Sequence, residues 1–253
     1  MVPSRTVIFR KEGQIGIITL NRPGVGNAIN NKMAGQLVDV CSRIAEDREV
    51  RVVVINGQGK SFCLGADPKE KLLFTKRDKS SPAQLLARLN CPTIAAINGD
   101  ALSWGLELAL VCDIRIADET ASFGFPEVAL GLMPQDGGTQ WLPRLVGRAK
   151  ALEMLLTAEP IDAQEAYRIG LVSKVVPETE LIPLTMDIAR KISSKAPVAL
   201  SYIKEAVSKG LDLTLEQGLG LETDLYCLLQ ITQDRIEGIR AFQEKRSPHF
   251  KGE

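Results

Sequence analysis

The sequence predicts an α/β fold, a layered core of parallel strands followed by a helical C-terminal region. Three observations carry this. Short apolar runs alternate with segments of helical period from the N-terminus to about residue 177. After Val176 the alternation stops and every segment is helical in pattern. The 253 residues, 45% hydrophobic and 25% charged, are enough to bury a large core.

The elements follow in order. Val7–Arg10 and Ile15–Leu20 read as two short strands with Glu12-Gly13 as the turn. Asn21-Arg22-Pro23-Gly24 breaks that pattern. A helix is expected over Asn31–Glu46, because Met33, Leu37, Val40 and Ile44 recur on one face. Arg51–Gly57 reads as a buried strand, and the breaker-rich stretch through Gly65-Ala66-Asp67-Pro68 as a loop. Asp78–Leu89 suggests a mobile segment leading into a helix, Thr93–Asn98 a strand, Gly105–Cys112 a short helix and Asp113–Ala117 a strand. Glu178–Ser194, Pro197–Lys209, Thr214–Gln230 and Gln233–Arg246 carry helical periodicity, with Gly210 as a stop signal.

Composition narrows the function. Lys+Arg and Asp+Glu are equal at 31 each, so no global field recruits nucleic acid or an anionic membrane. No run approaches the roughly 18 apolar residues of a membrane span, and Met1–Arg10 has no signal-peptide core. A cytoplasmic protein is the expectation, with a removed organelle presequence as the alternative. Cys41, Cys63, Cys91, Cys112 and Cys227 are odd in number and widely spaced, which reads as buried thiols in a reducing compartment. The single histidine, His249, leaves little basis for a histidine metal site or a serine triad; no metal is expected.

The informative stretch runs from Ile97 to Gln140. A strand ends at Asn98 and a tight loop leads into a helix near Gly105, whose first amides point outward and can hold a developing negative oxygen. Glu107 lies in that first turn, where a carboxylate also suits the helix itself. Its apolar neighbours Leu106, Leu108, Ala109 and Leu110 mean that it needs a partner or a cavity. Glu127 follows Pro126 in a loop, where a solvated carboxylate is the simpler reading. If the two face one cleft, burial and mutual repulsion would make them an acid–base pair.

Gly99-Asp100-Ala101-Leu102-Ser103-Trp104-Gly105-Leu106-Glu107-Leu108-Ala109 resembles the G-x-A-x-G-G-G-x-E-L-A segment of the crotonase (enoyl-CoA hydratase/isomerase) family. Phe123-Gly124-Phe125-Pro126-Glu127 and Pro134-Gln135-Asp136-Gly137-Gly138-Thr139-Gln140 resemble the segments that follow it. Phe62-Cys63-Leu64-Gly65-Ala66-Asp67, Leu20-Asn21-Arg22-Pro23 and Ala241-Phe242-Gln243-Glu244-Lys245-Arg246 extend the likeness over almost the whole chain.

The resemblance implies a crotonase-like spiral of ββα units over residues 1–190. Residues 191–253 would form a helical region for oligomerisation and coenzyme A capping. It implies hydration of a 2-enoyl-CoA, or the reverse, with an isomerase or another reaction through the same enolate as the alternative. Glu107 would activate water and Glu127 deliver a proton to the α-carbon, while the Ala66 and Trp104 amides form the oxyanion hole. Arg22, Gly24, Val25, Gly65, Ala66, Asp67, Phe242 and Lys245 would contact coenzyme A, which is part of the substrate; no tightly bound cofactor is implied. A homotrimer or homohexamer is implied. A non-catalytic crotonase-fold binding protein is a third reading, but the helix Asn31–Glu46 offers only Lys32 and Arg43 as a basic surface.

Several residues depart from the family pattern, among them Ser103 and Gln135 beside the positions that follow. Trp104 stands where glycine is usual, and would be strained if that position needs positive φ. Asp136 is either a third polar group in the pocket or a loop residue capping backbone before Gly137-Gly138. With Phe125 and Trp141, Trp104 suggests an aromatic acyl pocket suited to a bulky, branched or cyclic acyl group.

Overall fold

The computed structural model describes residues 5–70 and 81–253. Among the described residues, nine strands build two sheets. They are β1 (Val7–Glu12), β2 (Ile15–Leu20), β3 (Val52–Gly57), β4 (Thr93–Ile97), β5 (Ala101–Leu102), β6 (Ile114–Asp118), β7 (Ser122–Gly124), β8 (Ile161–Asp162) and β9 (Lys174–Val176). The larger sheet has the order β1-β2-β3-β4-β6-β9, antiparallel at the opening hairpin and parallel thereafter. The smaller has the order β5-β7-β8. Glu12 sits opposite Ile15, so the hairpin turn is Gly13-Gln14, with Gly13 at φ +59° as a tight primed turn requires.

Ten α-helices accompany these strands among the described residues: α1 (Asn31–Glu46), α2 (Pro82–Ala87), α3 (Trp104–Leu110), α4 (Gly138–Val146), α5 (Arg148–Thr157), α6 (Ala163–Arg168), α7 (Glu178–Ser193), α8 (Pro197–Gly210), α9 (Leu215–Leu229) and α10 (Gln233–Gln243). The α1 helix starts where expected because the Asn30 side chain accepts a hydrogen bond from the Met33 amide at 2.9 Å. Its buried stripe contains the four predicted apolar positions together with Ala34 and Cys41.

Alternation along the central strands divides the core in two. Val53, Ile55, Ala95, Ile97 and Ala117 face the main cluster with α1, α2 and α3. Val52, Val54, Ile94, Ala96 and Ile116 face the opposite side, where α7 covers them with Leu181, Met186 and Ala189. α7 therefore belongs to the α/β core. The boundary expected at residue 190 falls inside this helix.

Element bounds differ from the sequence expectations by a few residues. Thr214 caps α9 rather than entering it, through a capping box with Gln217. The last helix stops at Gln243, short of Arg246. Asp78–Ser80 lie outside the described residues, and the helix expected there is α2. Strand β8 and helices α4, α5 and α6 occupy a stretch read only as alternation. Cys41, Cys63 and Cys112 are buried, but Cys227 is exposed on α9, contrary to expectation, because that helix buries only Leu225.

Candidate active site

The site is assembled where three loops are stitched together. The loop through Cys63-Leu64-Gly65-Ala66-Asp67 makes a parallel bridge to Ile29 on one side and to Ala101 on the other. Gly65 C=O accepts from the Ile29 amide, and the Asp67 amide donates to Ile29 C=O. In a parallel bridge the residue between these two bonds directs its own N–H the other way, and that residue is Ala66, which is exposed. The Cys63 carbonyl accepts from Leu102, so the same loop lies against the start of α3.

Glycines make this approach possible. A Cβ on Gly65, which has φ +104°, would stand 2.6 Å from Ser103 Cβ. A Cβ on Gly105 would press into the Cys63 carbonyl and stand 2.7 Å from Cys63 Cβ. The loop that carries Ala66 thereby lies against the turn that leads into Trp104, the first residue of α3. The positive φ near this point falls on Ser103, with φ 52° and ψ −127°, and not on Trp104. The strain foreseen for tryptophan therefore sits one residue earlier, at a cost of roughly 1–3 kcal/mol. The Trp104 ring is buried in the main core cluster.

Glu107 lies in the first turn of α3 and is fully buried. Its side chain reaches across to the N-terminus of α4. There Oε1 accepts from the amides of Asp136 and Gly138, each at 2.8 Å. Gly138 is the first residue of α4, so the carboxylate satisfies an amide that has no acceptor within its helix. Burial outweighs these bonds and pushes the Glu107 carboxyl up to about 7, with the charges of Asp136 and Glu127 adding to the rise. The charge of Glu127 reaches the Glu107 carboxyl, so the two side chains lie near one another. Twofold pairing explains why: β5 pairs with β7, and the Ser103 amide donates to Gly124 C=O at 2.9 Å, just before Phe125-Pro126-Glu127.

Glu127 is 8% exposed and starts a short 3-10 turn after Pro126. Its Oε1 accepts from Ser103 Oγ at 2.5 Å. Each glutamate thus has one oxygen anchored. The other, Oε2 in both, is buried without a hydrogen-bond partner among the described residues. A buried carboxylate oxygen left in this state is poised to exchange a proton with something that enters.

The remaining predicted residues fall into distinct places. Asp136 is buried, and its side chain caps α2, accepting from the Ser81 hydroxyl and the Ala83 amide; burial raises its carboxyl above the usual range. It therefore caps backbone, but at α2 rather than before Gly137-Gly138. Phe125 is 1% exposed, and a Cβ on Gly138 would meet its ring at 2.8 Å, so the ring forms the wall behind Gly138. Trp141 is part-exposed and folds back over Gly137.

Arg22 is occupied in holding the loops, donating to Ala28 C=O at 2.5 Å and pairing with Asp67 at 2.9 Å. The Asp67 carboxyl is held below its usual range, chiefly by the Lys69 amide and then by Arg22. Gly24 and Val25 lie exposed in a 3-10 turn. Phe242 and Lys245 are exposed at the end of α10, a helix anchored to the C-terminal tail through Asp234.

Sequence reasoning missed three participants. Ser81 gave no signal beyond its polarity, and Ser103 only its place at a glycine position of the family pattern. Asn27 could have been found from its place after Gly26, since asparagine tolerates positive φ. It has φ 56°, is fully buried, and binds Arg22 N, Gln58 O and Ser61 O, tying the three loops together.

Residues 10–253 match the profile of the enoyl-CoA hydratase/isomerase family. The 2,3-dehydroadipyl-CoA hydratase of Escherichia coli is 43% identical over 252 residues, covering 97% of this chain and 98% of that protein. The crotonyl-CoA hydratase of Syntrophomonas wolfei is 41% identical, covering 96% and 97%. The crystal structure of an enoyl-CoA hydratase from Bacillus anthracis superposes with a TM-score of 0.93 at 39% identity, over 98% of this chain and all of that one. Fold, loop geometry and sequence agree, and the chain belongs to the enoyl-CoA hydratase/isomerase family.

Proposed function

We propose that this protein is an enoyl-CoA hydratase-type lyase, adding water across the double bond of a 2-enoyl-CoA to give a 3-hydroxyacyl-CoA, or running the reverse. The observation that carries this reading is the pair of buried glutamates, each with one anchored oxygen and one without a partner among the described residues, near the point where the Ala66 loop meets the start of α3. Glu107 as carboxylate takes a proton from water, whose oxygen bonds to the β-carbon. The electrons of the double bond move onto the thioester oxygen, between the Ala66 and Trp104 amides. Glu127 delivers a proton to the α-carbon as that charge returns. Each acid–base role typically contributes about 10²–10⁴-fold, and each oxyanion donor about 2.7–4 kcal/mol.

Coenzyme A enters as part of the substrate, along Gly24-Val25 and the Gly65–Asp67 loop. Arg22 shapes that path by holding Asp67 and Ala28. Phe242 and Lys245 would cap the coenzyme from α10 of a neighbouring subunit. The relatives named above act on a dicarboxylic and on a short acyl thioester at nearly equal identity, so overall likeness does not select the acyl group. The polar anchors Asp136 and Ser81 are engaged with each other, leaving apolar and aromatic walls for the acyl chain.

Exposed apolar residues on the C-terminal helices support assembly into a homotrimer or homohexamer. α8 buries no residue within one chain, and Ile203, Val207, Leu219, Tyr226 and Ile231 are exposed on α8 and α9 and the turn after them. A surface this apolar usually marks an interface. Cytoplasmic residence fits the five unpaired cysteines, and among the described residues no helix is long and apolar enough to cross a membrane.

The test is a set of enoyl-CoA thioesters followed by mass. Gain of one water by a 2-enoyl-CoA, lost in Glu107→Gln and in Glu127→Gln, is the expected result. Double-bond migration without mass change would move the assignment to isomerase, and activity in the double variant would end it.

A further inference from the structure

The hydroxyl of Ser103 stands where the family pattern has a glycine, at a backbone conformation that glycine adopts most easily. A side chain held there has a reason to be kept. The Ser103 amide is bound to Gly124 C=O, and Gly65 packs against its Cβ, so neither backbone nor side chain has room to drift. The hydroxyl donates to Glu127 Oε1 at 2.5 Å, the sole side-chain donor to that carboxyl among the described residues.

We propose that Ser103 is a positioning residue that fixes which oxygen of Glu127 exchanges the proton. By occupying Oε1 it leaves Oε2, buried and without a partner among the described residues, as the face turned to the α-carbon. Without the hydroxyl, the Glu127 side chain can rotate, and either oxygen can present itself at the wrong angle. A misplacement of this kind acts on the chemical step and leaves thioester binding alone. The inference rests on the acid–base reading of Glu127.

The experiment compares Ser103→Ala and Ser103→Gly, each alone and in a Glu127→Gln background, with kcat, KM and melting temperature measured on one enoyl-CoA that the enzyme hydrates. The glycine variant relieves the positive-φ strain and the alanine variant keeps it, so stability and positioning separate. Expected is a fall in kcat of about tenfold to a hundredfold in both variants. KM should stay within about twofold, and the glycine variant should melt no lower than the parent. In the Glu127→Gln background neither substitution should lower the residual rate further, since the group being positioned is gone. A glycine variant that keeps its kcat, a loss that tracks melting temperature, or additive losses in the double variants would overturn the proposal. Unimpaired activity of Glu127→Gln alone would instead overturn the reading beneath it.

Discussion

Glu107 holds a charge at a site that resists it. Its carboxyl is raised from an ordinary 4.5 to about 7 by burial, against the pull of two amides. Between those two pH values the native state binds more protons than the unfolded chain, so this group makes the protein less stable as pH rises through the window. Above pH 7 the penalty is complete and amounts to about 3 kcal/mol. Glu107→Gln keeps an oxygen to accept from Asp136 and Gly138 while removing the charge. The variant is expected to lose hydration by at least about 10²-fold. It should also unfold at a higher denaturant concentration than the parent at pH 8, by roughly 1–3 kcal/mol, with the difference vanishing near pH 4. Equal pH dependence of unfolding in the two proteins would contradict the assignment. The same titration should appear as an acid limb near pH 7 in kcat/KM. Asp136 contributes to the rise in Glu107, so Asp136→Asn is expected to move that limb to lower pH, as read from the pH–rate profile.

At the scale of elements, the catalytic geometry depends on how closely backbone approaches backbone. α3 and the Gly65–Asp67 loop meet through Gly105 and Gly65, and a side chain on Gly65 would press on Ser103 while one on Gly105 would press on Cys63. Gly105→Ala would push a methyl against the Cys63 carbonyl, which cannot retreat because it already accepts from Leu102. The expected cost is about 1–3 kcal/mol in unfolding free energy, together with a fall of about 10²-fold in kcat/KM from a shift of the amides. Thermal melts and steady-state rates on the same preparation check both. Gly218, which has only backbone atoms beyond 3.8 Å near a would-be Cβ, serves as the control position: Gly218→Ala should change neither much. The α4 terminus is a second such junction, since Gly138 donates to Glu107 while its bare Cα rests on Phe125.

For the molecule as a whole, the division of labour follows burial. The parallel sheet is covered on both faces, by α7 on one and by α1 to α3 on the other, and it carries the loops of the site at its edge. The helices after α7 are different. They fold from good caps and helical periodicity, yet within one chain they bury little more than Leu225, Asp234 and Ala241. Light scattering is expected to give a mass that is a multiple of 27.6 kDa, and a joint Ile203→Glu and Val207→Glu substitution on α8 to shift it toward the single chain. A parent protein that runs as a monomer at micromolar concentration would refute the oligomer.

Several elements were legible from sequence because their causes are local. The short apolar runs of β2 and β4, the apolar stripe of α1 and the four C-terminal helices follow from side-chain spacing, which neighbours along the chain already determine. The two glutamates were legible as candidates because the family motifs around them span nearly the whole chain, and physical reading alone left each with a simpler explanation. The tertiary structure decided the rest. It placed the strain on Ser103 instead of Trp104, turned Asp136 toward α2, engaged Arg22 with Asp67, and brought Glu127 to Ser103 through the pairing of β5 with β7. Contacts between residues distant in sequence depend on which strands pair and how closely loops approach. No local pattern encodes those distances, because they arise only when the whole core has packed.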